Sequence, residues 1–493
     1  MSPAAADGPL VVVGDALLDR DVDGQVRRLC PDAPAPVLED QVPICRPGGA
    51  ALAALMAARD GVPVVLVAPL GDDEASQRVL GLLASAMTVV RLPLEGSLPE
   101  KTRFRAGGRT LLRADRGDGG LASRANGGLD EAADAIASAG TLLVSDYGRG
   151  VTADRKIRAA LEKQAGRVPL VWDPHPRGAA PVPHARLVTP NHAEAAALAG
   201  LTGPPALTSA AAAAHYLGQR WSADAVAITL GEQGAVLVQG GTGPLVVPAR
   251  RFDVTDPCGA GDRFAAAAAV ALRAGAVPSE AVTSAVAAAS QYLADGGVAR
   301  YSSPEGAGGL QGSGGSRGSV RSPREQQQSQ NFAEMDGMRK PDAVALAQKV
   351  RAAGGTVVAT GGCFDVLHAG HVSLLETARS LGDCVIVCLN SDASVRRLKG
   401  DGRPLNHVAD RTAVLAALGS VDAIAVFDED TPCAVLDQLR PDVWVKGGDY
   451  DGRDLPEAGL LETWGGVAVT VPYLSGRSTT RLAEAARNHA SLR

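Results

Sequence analysis

The sequence predicts an α/β protein with two domains joined by a flexible linker. Short apolar runs alternate with Ala-rich helical patterns up to residue 301, and the same alternation returns after residue 337. This alternation is typical of mostly parallel sheets covered by helices. Between the two stretches, residues 302–337 are rich in Gly, Ser and Gln and cannot bury enough apolar surface to offset the entropy lost on ordering. A chain of 493 residues is also too long for one ordinary core.

The first domain, residues 1–301, is predicted to contain a doubly wound sheet and a small lid. Charged, alternating residues at 20–40 and 100–115 favour strands that project from the main sheet over a cleft. Helical patterns fill many of the gaps, for example at 49–59 and 262–274. Buried strands of the main sheet are predicted at residues 10–14, 64–68, 142–145, 170–173, 187–189 and 226–229.

The second domain, residues 338–493, is predicted to be a smaller Rossmann-like domain. Its strands alternate with helical segments, and ligands are expected at the carboxyl ends of those strands. An amphipathic run at 372–381 predicts a helix directly after the first strand. The strands are predicted at residues 356–359, 385–389, 423–427, 443–445 and 467–471.

Composition argues against several classes of protein. A net charge of −6 gives no electrostatic reason to expect nucleic-acid binding. No apolar run reaches the roughly 18 residues that a bilayer requires, and the N-terminus lacks the pattern of a secretory signal. Seven scattered cysteines fit reduced thiols, so we expect a cytoplasmic protein with no membrane partner. Cys384 and Cys388 lie in an apolar run, where core packing is expected.

The most informative segment runs from Thr360 to His371. His368 and His371 flank Gly370 at the point where a helix is predicted to begin. Backbone N–H groups and the positive end of the helix dipole favour an anion there, and two imidazoles suit the phosphates of a nucleotide under attack at its α-phosphorus. The segment therefore predicts a nucleotidyl-transfer site. A metal site is disfavoured because no further ligands lie nearby, whereas simple capping by the two histidines stays open.

Four more motifs follow this segment in order. Together with it they resemble the cytidylyltransferase-like nucleotidyltransferases, over residues 357–487. The resemblance is greatest to the adenylyltransferase half of the bifunctional D-β-D-heptose 7-phosphate kinase/D-β-D-heptose 1-phosphate adenylyltransferases. The motifs are Asn390-Ser391-Asp392, Arg397-Leu398-Lys399-Gly400, Val445-Lys446-Gly447-Gly448-Asp449-Tyr450 and Arg477-Ser478-Thr479-Thr480.

The resemblance implies roles for these residues. His368 and His371 hold the triphosphate and stabilise the transition state, while Lys399 neutralises phosphate charge. Asp392 and Lys446 lie at strand ends and face the sugar phosphate or the ribose. The β- and γ-phosphates are bound by Ser478, Thr479 and Thr480, and the remaining ATP or sugar-phosphate contacts come from Gly362, Phe364, Asp365, Gly370 and Arg477.

A second constellation lies at residues 256–262. Gly259, Ala260 and Gly261 let the backbone approach a phosphate closely, and the helix that follows supplies N–H donors. Asp262 is then placed where a carboxylate can accept a hydroxyl proton. Taken alone, a Gly-Ala-Gly turn before a helix is only a tight turn about as often as it is a phosphate site.

The surrounding motifs resemble those of ribokinase-like carbohydrate kinases, across residues 10–299. Within that family, motifs at 34–37, 101–103, 145–148 and 189–191 look most like heptose 7-phosphate kinases. The fold class implied is thus a ribokinase-like domain with a β lid, linked to a Rossmann-like nucleotidyltransferase. The family motifs are Gly14-Asp15, Gly48-Gly49-Ala50, Asn191-His192-Ala193-Glu194 and Thr229-Leu230-Gly231-Glu232-Gln233-Gly234.

The kinase resemblance implies the following roles. Asp262 is the general base, and the backbone of Gly259, Ala260 and Gly261 forms the anion hole. Asn191 and Glu194 hold Mg²⁺ indirectly, through water. Lys101, Arg103 and Arg105 are candidates for the distal phosphate of the sugar, although a solvated lid strand is about as good an explanation for any one of them. The nucleotide loop contributes Thr229, Gly231 and Gly234, and sugar hydroxyls are contacted by Asp15, Asp19, Gly48 and Gly49.

Two positions depart from the kinase pattern. Leu52 stands where the family usually has Asn, and His175 stands where it has Lys. Loss of a polar contact from Leu52 costs about 1–3 kcal/mol, and His175 titrates near neutrality. A degenerate kinase-like module that senses a ligand or dimerises therefore stays an alternative.

The two resemblances together imply one biosynthetic sequence. ATP phosphorylates heptose 7-phosphate at the anomeric hydroxyl, a separate phosphatase removes the 7-phosphate, and ATP then converts heptose 1-phosphate into ADP-heptose. Both sites are expected to use ATP with Mg²⁺, and the kinase lid is expected to form a homodimer. Another sugar or polyol phosphate, or a cytidylyl donor, stays an alternative.

Overall fold

The computed structural model describes residues 8–107, 109–122, 127–201, 207–240, 242–250, 256–301, 303–304, 341–448 and 455–472. These residues form two compact units, whose main parts precede and follow the segment 305–340. Among them, no helix combines the length and the apolar character that crossing a membrane requires. The linker predicted at 302–337 lies outside the described residues except for Ser303 and Pro304.

The first unit contains a large sheet, a lid sheet and helices on both faces of the large sheet. Its strands are β1 (Leu10–Gly14), β2 (Ala16–Leu29), β3 (Pro36–Gly49), β4 (Val64–Pro69), β5 (Thr88–Leu92), β6 (Leu94–Glu95), β7 (Glu100–Ala106), β8 (Arg109–Arg116), β9 (Gly120–Leu121), β10 (Thr141–Ser145), β11 (Leu170–Asp173), β12 (Leu187–Val188), β13 (Ala225–Thr229), β14 (Ala235–Gln239), β15 (Leu245–Val247) and β16 (Ser303–Pro304). Its helices are α1 (Ala50–Arg59), α2 (Glu74–Leu83), α3 (Leu129–Ala137), α4 (Arg155–Gln164), α5 (His192–Ala199), α6 (Leu207–Trp221), α7 (Ala260–Arg273) and α8 (Pro278–Ala294).

The large sheet confirms the predicted doubly wound arrangement. Its strand order is β15-β14-β13-β12-β11-β10-β1-β4-β5, and the pairs from β13 to β5 are parallel. The six predicted strands are all present, within one residue at each end. The antiparallel strands β14 and β15 were not predicted from the sequence. Because parallel strands end at the same edge, the loops after β1, β10, β11 and β13 meet there.

The lid forms a separate sheet in the order β16-β3-β2-β7-β8. Both predicted lid regions are confirmed as strands, but β2 begins earlier and β3 ends later than expected. The reason is that the lid strands continue directly from β1 and into α1, so Gly48 and Gly49 belong to the end of β3. Ser303, assigned to the linker from composition, pairs with Cys45 of β3.

Small residues set the packing between α1 and α7. Ala50, Ala53 and Ala54 of α1 are fully buried, as are Ala265 and Ala268 of α7, within one apolar cluster. Alanine surfaces let helices approach closely without large side chains between them. Only 3% of the residues in the whole chain are aromatic. Close packing of alanine-rich helices explains how the first unit still forms a continuous core.

The second unit contains a smaller sheet covered by helices. Its elements are α9 (Ala343–Ala352), β17 (Val357–Gly362), α10 (Ala369–Ser380), β18 (Cys384–Asn390), α11 (Asp392–Lys399), α12 (Val408–Ala416), β19 (Ala423–Phe427), α13 (Cys433–Leu439), β20 (Val443–Gly447), α14 (Ala458–Glu462) and β21 (Val467–Val471). The strand order is β19-β18-β17-β20-β21, and the β17–β18, β18–β19 and β17–β20 pairs are parallel. The predicted strands are confirmed, and the helix predicted at 372–381 begins three residues earlier. Cys384 and Cys388 are buried in β18, as expected.

Gly14→Ala is expected to destabilise the first unit. A Cβ atom at Gly14 would lie 1.9 Å from the carbonyl oxygen of Ser145 on the adjacent strand, so β1 and β10 would have to separate. Overpacking of this kind costs about 1–3 kcal/mol. Gly81→Ala in α2 is the matched control, because nothing lies within 4 Å of its added Cβ and helix propensity favours Ala by about 1 kcal/mol. Calorimetry should show a lower unfolding temperature for the first variant and an equal or higher one for the second; an unchanged Gly14→Ala would contradict the packing.

Candidate active sites

Asp262 lies in the first turn of α7, at the carboxyl edge of the large sheet. The helix begins after Gly259, whose φ of 79° belongs to the left-handed region that favours glycine. Asp262 is only 8% exposed, and the Tyr147 hydroxyl donates a 2.9 Å hydrogen bond to its Oδ1. Burial raises the pKa of Asp262 to about 7, although the bond from Tyr147 opposes this rise. A carboxyl group that titrates near neutrality at a helix N-terminus suits a general base.

A cavity of about 290 Å³ opens beside this helix N-terminus. It is lined by five residues of the predicted nucleotide loop and anion hole, together with apolar side chains of α7 and α8 that the sequence analysis did not assign. Their only signal in the sequence was the apolar face of two Ala-rich helices. The predicted residues are Thr229, Gly231, Gly234, Ala260 and Gly261, and the additional apolar ones are Phe264, Val286, Ala289 and Leu293.

Tyr292 and Leu52 pack against the backbone of the proposed anion hole. The Tyr292 hydroxyl donates a 2.8 Å hydrogen bond to the carbonyl oxygen of Cys258. A Cβ atom at Gly259 would lie 2.6 Å from the Tyr292 hydroxyl and 3.2 Å from a methyl group of Leu52, so only glycine fits. Leu52, one of the two departures from the kinase pattern, is therefore an apolar side chain that packs against this loop.

The other departure, His175, is a half-buried side chain whose Nδ1 accepts a hydrogen bond from the Arg177 backbone N–H at 3.1 Å. Burial and then the charge of Arg177 lower the pKa of His175. The imidazole is therefore neutral at physiological pH and does not replace the positive charge of the family's lysine.

Asn191 and Glu194 form a capping box at the start of α5. The Asn191 backbone N–H donates to the Glu194 carboxylate at 2.8 Å, and the Glu194 N–H donates to Asn191 Oδ1 at 2.9 Å. Burial raises the pKa of Glu194, and burial together with the charges of Glu194 and Asp262 raises that of Asp173 well above its ordinary value. A hydrated divalent cation would relieve this excess of negative charge. Within the described ranges, no group of three or more His, Cys, Asp or Glu residues is arranged to hold a metal ion.

Asp15 occupies the end of β1 next to the lid. Its Oδ2 accepts hydrogen bonds from the backbone N–H groups of Tyr147 and Arg149, at 3.0 and 3.1 Å. Its Oδ1 is buried and has no hydrogen-bond partner among the residues that the structure describes. Burial raises the pKa of Asp15 to about 6. A buried acceptor without a donor fits a sugar hydroxyl.

Two glycines at the end of β3 pack closely against these acidic residues. A Cβ atom at Gly49, where φ is 59°, would lie 2.5 Å from the Asp15 carbonyl oxygen. A Cβ atom at Gly48 would lie 3.0 Å from Asp19 Oδ2. The structure thus brings Asp15, Asp19, Gly48 and Gly49, the four residues predicted to contact sugar hydroxyls, together at one place.

Two of the three predicted phosphate ligands are already paired with protein groups. Arg103 Nη1 lies 3.6 Å from Asp19 Oδ1, and Arg103 Nη2 donates to the Cys258 sulfur at 3.3 Å. Arg105 Nη1 donates to Asp21 Oδ2 at 3.1 Å. In contrast, the Lys101 ammonium lies over the Tyr147 ring, 5.2 Å from its centroid.

Arg46 and Asp21 form the centre of this charged network. The Arg46 side chain is fully buried, and its Nη1 and Nη2 donate to the two Asp21 carboxylate oxygens at 2.5 and 3.2 Å. Sequence reasoning missed this pair because the two residues belong to different strands, β3 and β2, and neither lies in a recognised motif. A distal phosphate would join a network in which Arg46, Arg103 and Arg105 already pair with Asp19 and Asp21.

In the second unit, His368 and His371 cap α10. The Nδ1 of His368 accepts a hydrogen bond from the Gly370 N–H at 3.1 Å, and the Nδ1 of His371 accepts one from the His368 N–H at 3.4 Å. The two rings stack with centroids 3.9 Å apart. Burial, followed by the charges of His368 and Lys399, lowers the pKa of His371 to about 4. Both histidines therefore cap the helix, and these hydrogen bonds fix the two imidazoles at the helix N-terminus, where an anion is favoured.

Asp365 lies directly before these histidines and is 3% exposed. Its carboxylate accepts hydrogen bonds from Arg403 Nη1 at 2.7 Å and from the backbone N–H groups of Leu405 and Asn406 at 2.6 and 3.0 Å. Burial raises the pKa of Asp365, but these hydrogen bonds outweigh it and the pKa is lowered. Asp365 was expected to contact ATP or the sugar phosphate; in the structure it holds the loop 403–406 against the histidine loop.

Arg411 connects several segments of the same site. Its side chain is 1% exposed, and its Nη1 donates to the carbonyl oxygens of Cys363 and Asn390 at 2.7 and 2.8 Å. Its Nη2 donates to Asp392 Oδ1 at 2.7 Å. Asp392, expected to face the sugar phosphate or the ribose, is therefore an ion-pair partner of a buried arginine that the sequence analysis did not identify.

Lys446 and Lys399 differ in their surroundings. The Lys446 ammonium donates to both oxygens of the buried Glu457 carboxylate, at 2.9 and 3.1 Å, although it was expected to face the substrate. Lys399 is exposed at the end of α11, and its charge contributes to the lowered pKa of His371. Gly362 ends β17, and the Phe364 ring lies 5.1 Å from that of His371. Arg477, Ser478, Thr479 and Thr480 lie outside the described residues, as do Asp449 and Tyr450.

Comparisons with protein families match both parts of the chain. Residues 9–305 match the pfkB family carbohydrate kinases, and residues 359–471 match the cytidylyltransferase-like family. The fold class and the enzyme class predicted from the motifs are thereby confirmed. The protein is a carbohydrate kinase joined to a cytidylyltransferase-like nucleotidyltransferase.

Relatives that contain both parts align with nearly the whole chain. The bifunctional protein HldE of Streptomyces coelicolor is 53% identical over 485 residues, which cover 97% of each chain. Proteins of the same name from Azorhizobium caulinodans and Pseudomonas aeruginosa (strain LESB58) are 38% and 36% identical; they cover 97% and 98% of this chain and 98% of their own lengths. The chain belongs to this HldE family of bifunctional proteins.

Arg411→Met is expected to destabilise the second unit. The substitution keeps apolar bulk but leaves the Cys363 and Asn390 carbonyl oxygens without their donor, and each orphaned buried acceptor costs about 1–3 kcal/mol. Arg396→Met, on the exposed face of α11, is the control and should change stability by less than about 0.5 kcal/mol. Thermal unfolding of the two full-length variants makes the comparison; equal unfolding temperatures would show that Arg411 does not hold these segments together.

Proposed function

We propose that the protein phosphorylates heptose 7-phosphate at its anomeric hydroxyl and, at a second site, transfers the adenylyl group of ATP to heptose 1-phosphate. The observation that carries this proposal is the presence of two helix N-termini with catalytic groups in one chain. Asp262 lies in the first turn of α7 beside a cavity, and His368 and His371 cap α10. Membership of a bifunctional family supports the pairing of the two activities.

In the first reaction, the anomeric oxygen attacks the γ-phosphorus of ATP while Asp262 accepts the hydroxyl proton. The bond between the γ-phosphorus and the β–γ bridging oxygen breaks, so ADP leaves and heptose 1,7-bisphosphate forms. Backbone N–H groups of residues 259–261 stabilise the transferred phosphoryl group, and Asp15 orients the sugar through a hydroxyl. Mg²⁺, held through water by Asn191 and Glu194, would neutralise phosphate charge when bound.

In the second reaction, a phosphate oxygen of heptose 1-phosphate attacks the α-phosphorus of ATP, and pyrophosphate leaves with the electrons of the broken bond. ADP-heptose is the product. No proton has to be removed from an ionised phosphate, so the protein's contribution is positioning and charge stabilisation. His368, His371 and Lys399 supply it, and the hydroxyls of Ser478, Thr479 and Thr480 bind the leaving phosphates. Mg²⁺ would again neutralise phosphate charge.

The product of the first site carries a 7-phosphate that the substrate of the second site lacks. A separate phosphatase must therefore act between them. We propose a cytoplasmic location, supported by seven free cysteines. A homodimer through the lid is supported by exposed apolar side chains on its strands, among them Leu29, Val42 and Leu112, at 61%, 52% and 60%.

A degenerate kinase-like module is the less favoured reading. It was motivated by Leu52 and His175, but Leu52 packs against the loop of the proposed anion hole, and neither residue removes the proposed base or the backbone N–H groups of residues 259–261. The buried carboxyl of Asp262, whose pKa is raised to about 7, and the adjoining cavity both support an active phosphotransferase.

Asp262→Asn and His371→Ala are expected to separate the two activities. The first should lower ATP-dependent phosphorylation of heptose 7-phosphate by at least about 100-fold and leave pyrophosphate release from ATP and heptose 1-phosphate unchanged, because only the general base is lost. The second should do the reverse. Each variant is the control for the other, and joint loss of both activities in either variant would contradict independent sites.

Mass spectrometry of the products tests the substrates directly. Wild-type protein incubated with Mg²⁺ and a panel of sugar phosphates, with ATP or CTP as donor, should yield heptose 1,7-bisphosphate and ADP-heptose. Preferred products from a polyol phosphate, or from CTP at the second site, would refute the assignment of substrate or of donor.

A further inference from the structure

We infer that Tyr147 is a positioning residue of the first site, which orients the Asp262 carboxylate through its hydroxyl and links it to the sugar-binding Asp15 through its backbone. This inference deepens the proposed kinase function and rests on it. Neither the family motifs nor the sequence assigns Tyr147 a role of its own.

Tyr147 contacts both the proposed base, Asp262, and the proposed sugar ligand, Asp15. The Tyr147 hydroxyl donates to Asp262 Oδ1 at 2.9 Å, and its backbone N–H donates to Asp15 Oδ2 at 3.0 Å. Tyr147 reaches both because it follows β10, which lies beside β1 at the carboxyl edge of the sheet. The carboxylate that binds sugar and the carboxylate that accepts the proton are therefore held by the same residue.

The turn that contains Tyr147 is itself fixed by Asp146. Asp146 is 4% exposed, and its carboxylate accepts hydrogen bonds from the Gly148 N–H and the Thr152 hydroxyl, both at 2.7 Å. A Cβ atom at Gly178 would lie 2.0 Å from Asp146 Oδ2, so the chain that covers this carboxylate must have no side chain there. These contacts leave the backbone of Tyr147 with one arrangement.

The aromatic ring of Tyr147 is also fixed by its neighbours. A Cβ atom at Gly49 would lie 3.2 Å from Tyr147 Cε2, so the ring packs on the bare backbone of Gly49. The Lys101 ammonium lies 5.2 Å from the ring centroid. A ring fixed in this way gives its hydroxyl one direction, toward Asp262 Oδ1, and the other carboxylate oxygen is left to accept the proton of the substrate.

The hydroxyl also opposes the forces that keep Asp262 protonated. Burial raises the pKa of Asp262, and so do the charges of Asp19 on β2 and Glu194 on α5, while Lys101 on β7 lowers it. Asp173 on β11 is coupled to Asp262 by the same repulsion. Without the Tyr147 hydroxyl, Lys101 would oppose burial and three carboxylates alone, so the base would be protonated up to a higher pH.

Tyr147→Phe in the full-length protein tests the inference. A base must be ionised to act, so phosphorylation is lost as the pH falls through the pKa of Asp262. The variant should move this acidic limb of kcat upward by about one pH unit, which is about a tenfold lower rate near pH 6, and the rate should recover toward that of the wild type above pH 9. The KM for the sugar phosphate should stay the same, because phenylalanine keeps the backbone N–H that binds Asp15.

Tyr292→Phe is the matched control. It removes another buried hydroxyl beside the anion hole, one that donates to the Cys258 carbonyl oxygen instead of Asp262, so its acidic limb should stay in place. Pyrophosphate release at the second site and the unfolding temperature report whether each variant is intact.

Three results would overturn the inference. These are a rate that falls equally at every pH, a change confined to the KM for the sugar phosphate, or a shifted limb in Tyr292→Phe as well. A wild-type protein that fails to phosphorylate heptose 7-phosphate would instead refute the proposed function, so the two failures are distinguishable.

Discussion

Compensation of buried charge at the carboxyl edges of the two sheets is the constraint on which the rest of the structure depends. Both sites need ionised groups where water is scarce, and an unpaired buried charge is costly. Asp365 is therefore surrounded by Arg403 and two backbone donors, and Arg411 by three carbonyl oxygens and a carboxylate. Asp262 is compensated less fully: its carboxylate accepts one hydroxyl hydrogen bond, and burial raises its pKa to about 7. The pKa of the neighbouring Asp173 is raised well above its ordinary value as well, so the unbalanced negative charge of the first unit collects at this place.

Both units solve the problem of binding a phosphate with a helix that starts just after a strand or a tight loop. In the first unit a glycine with positive φ opens α7 and exposes backbone N–H groups. In the second unit the helix is capped by imidazoles, which satisfy two backbone donors through their Nδ1 atoms. The first solution supplies a bare backbone for a transferred group, whereas the second places side chains beside a leaving group. The difference matches phosphoryl transfer at one site and adenylyl transfer at the other.

Local patterns were sufficient to predict the parallel strands β1, β4, β10, β11, β12 and β13, the lid, both helix N-termini and five of the residues that line the cavity beside α7. Apolar runs of four to six residues report buried parallel strands directly, and glycine-rich turns report close backbone approach. The partners of charged residues could not be predicted in this way. Arg411 reaches Cys363 across 48 positions and Arg46 reaches Asp21 across 25, distances at which a single sequence contains no periodic signal. For Asp365, Asp392 and Lys446, the motifs show the charge but not the protein groups that pair with it.

The neutral state of His371 has a consequence for the thermodynamics of the second site. With a pKa of about 4, this imidazole is uncharged at physiological pH. A polyphosphate beside it would favour the imidazolium and raise that pKa, because opposite charges attract in a partly buried site. The affinity of the second site for polyphosphate is therefore expected to strengthen as the pH falls toward the raised value.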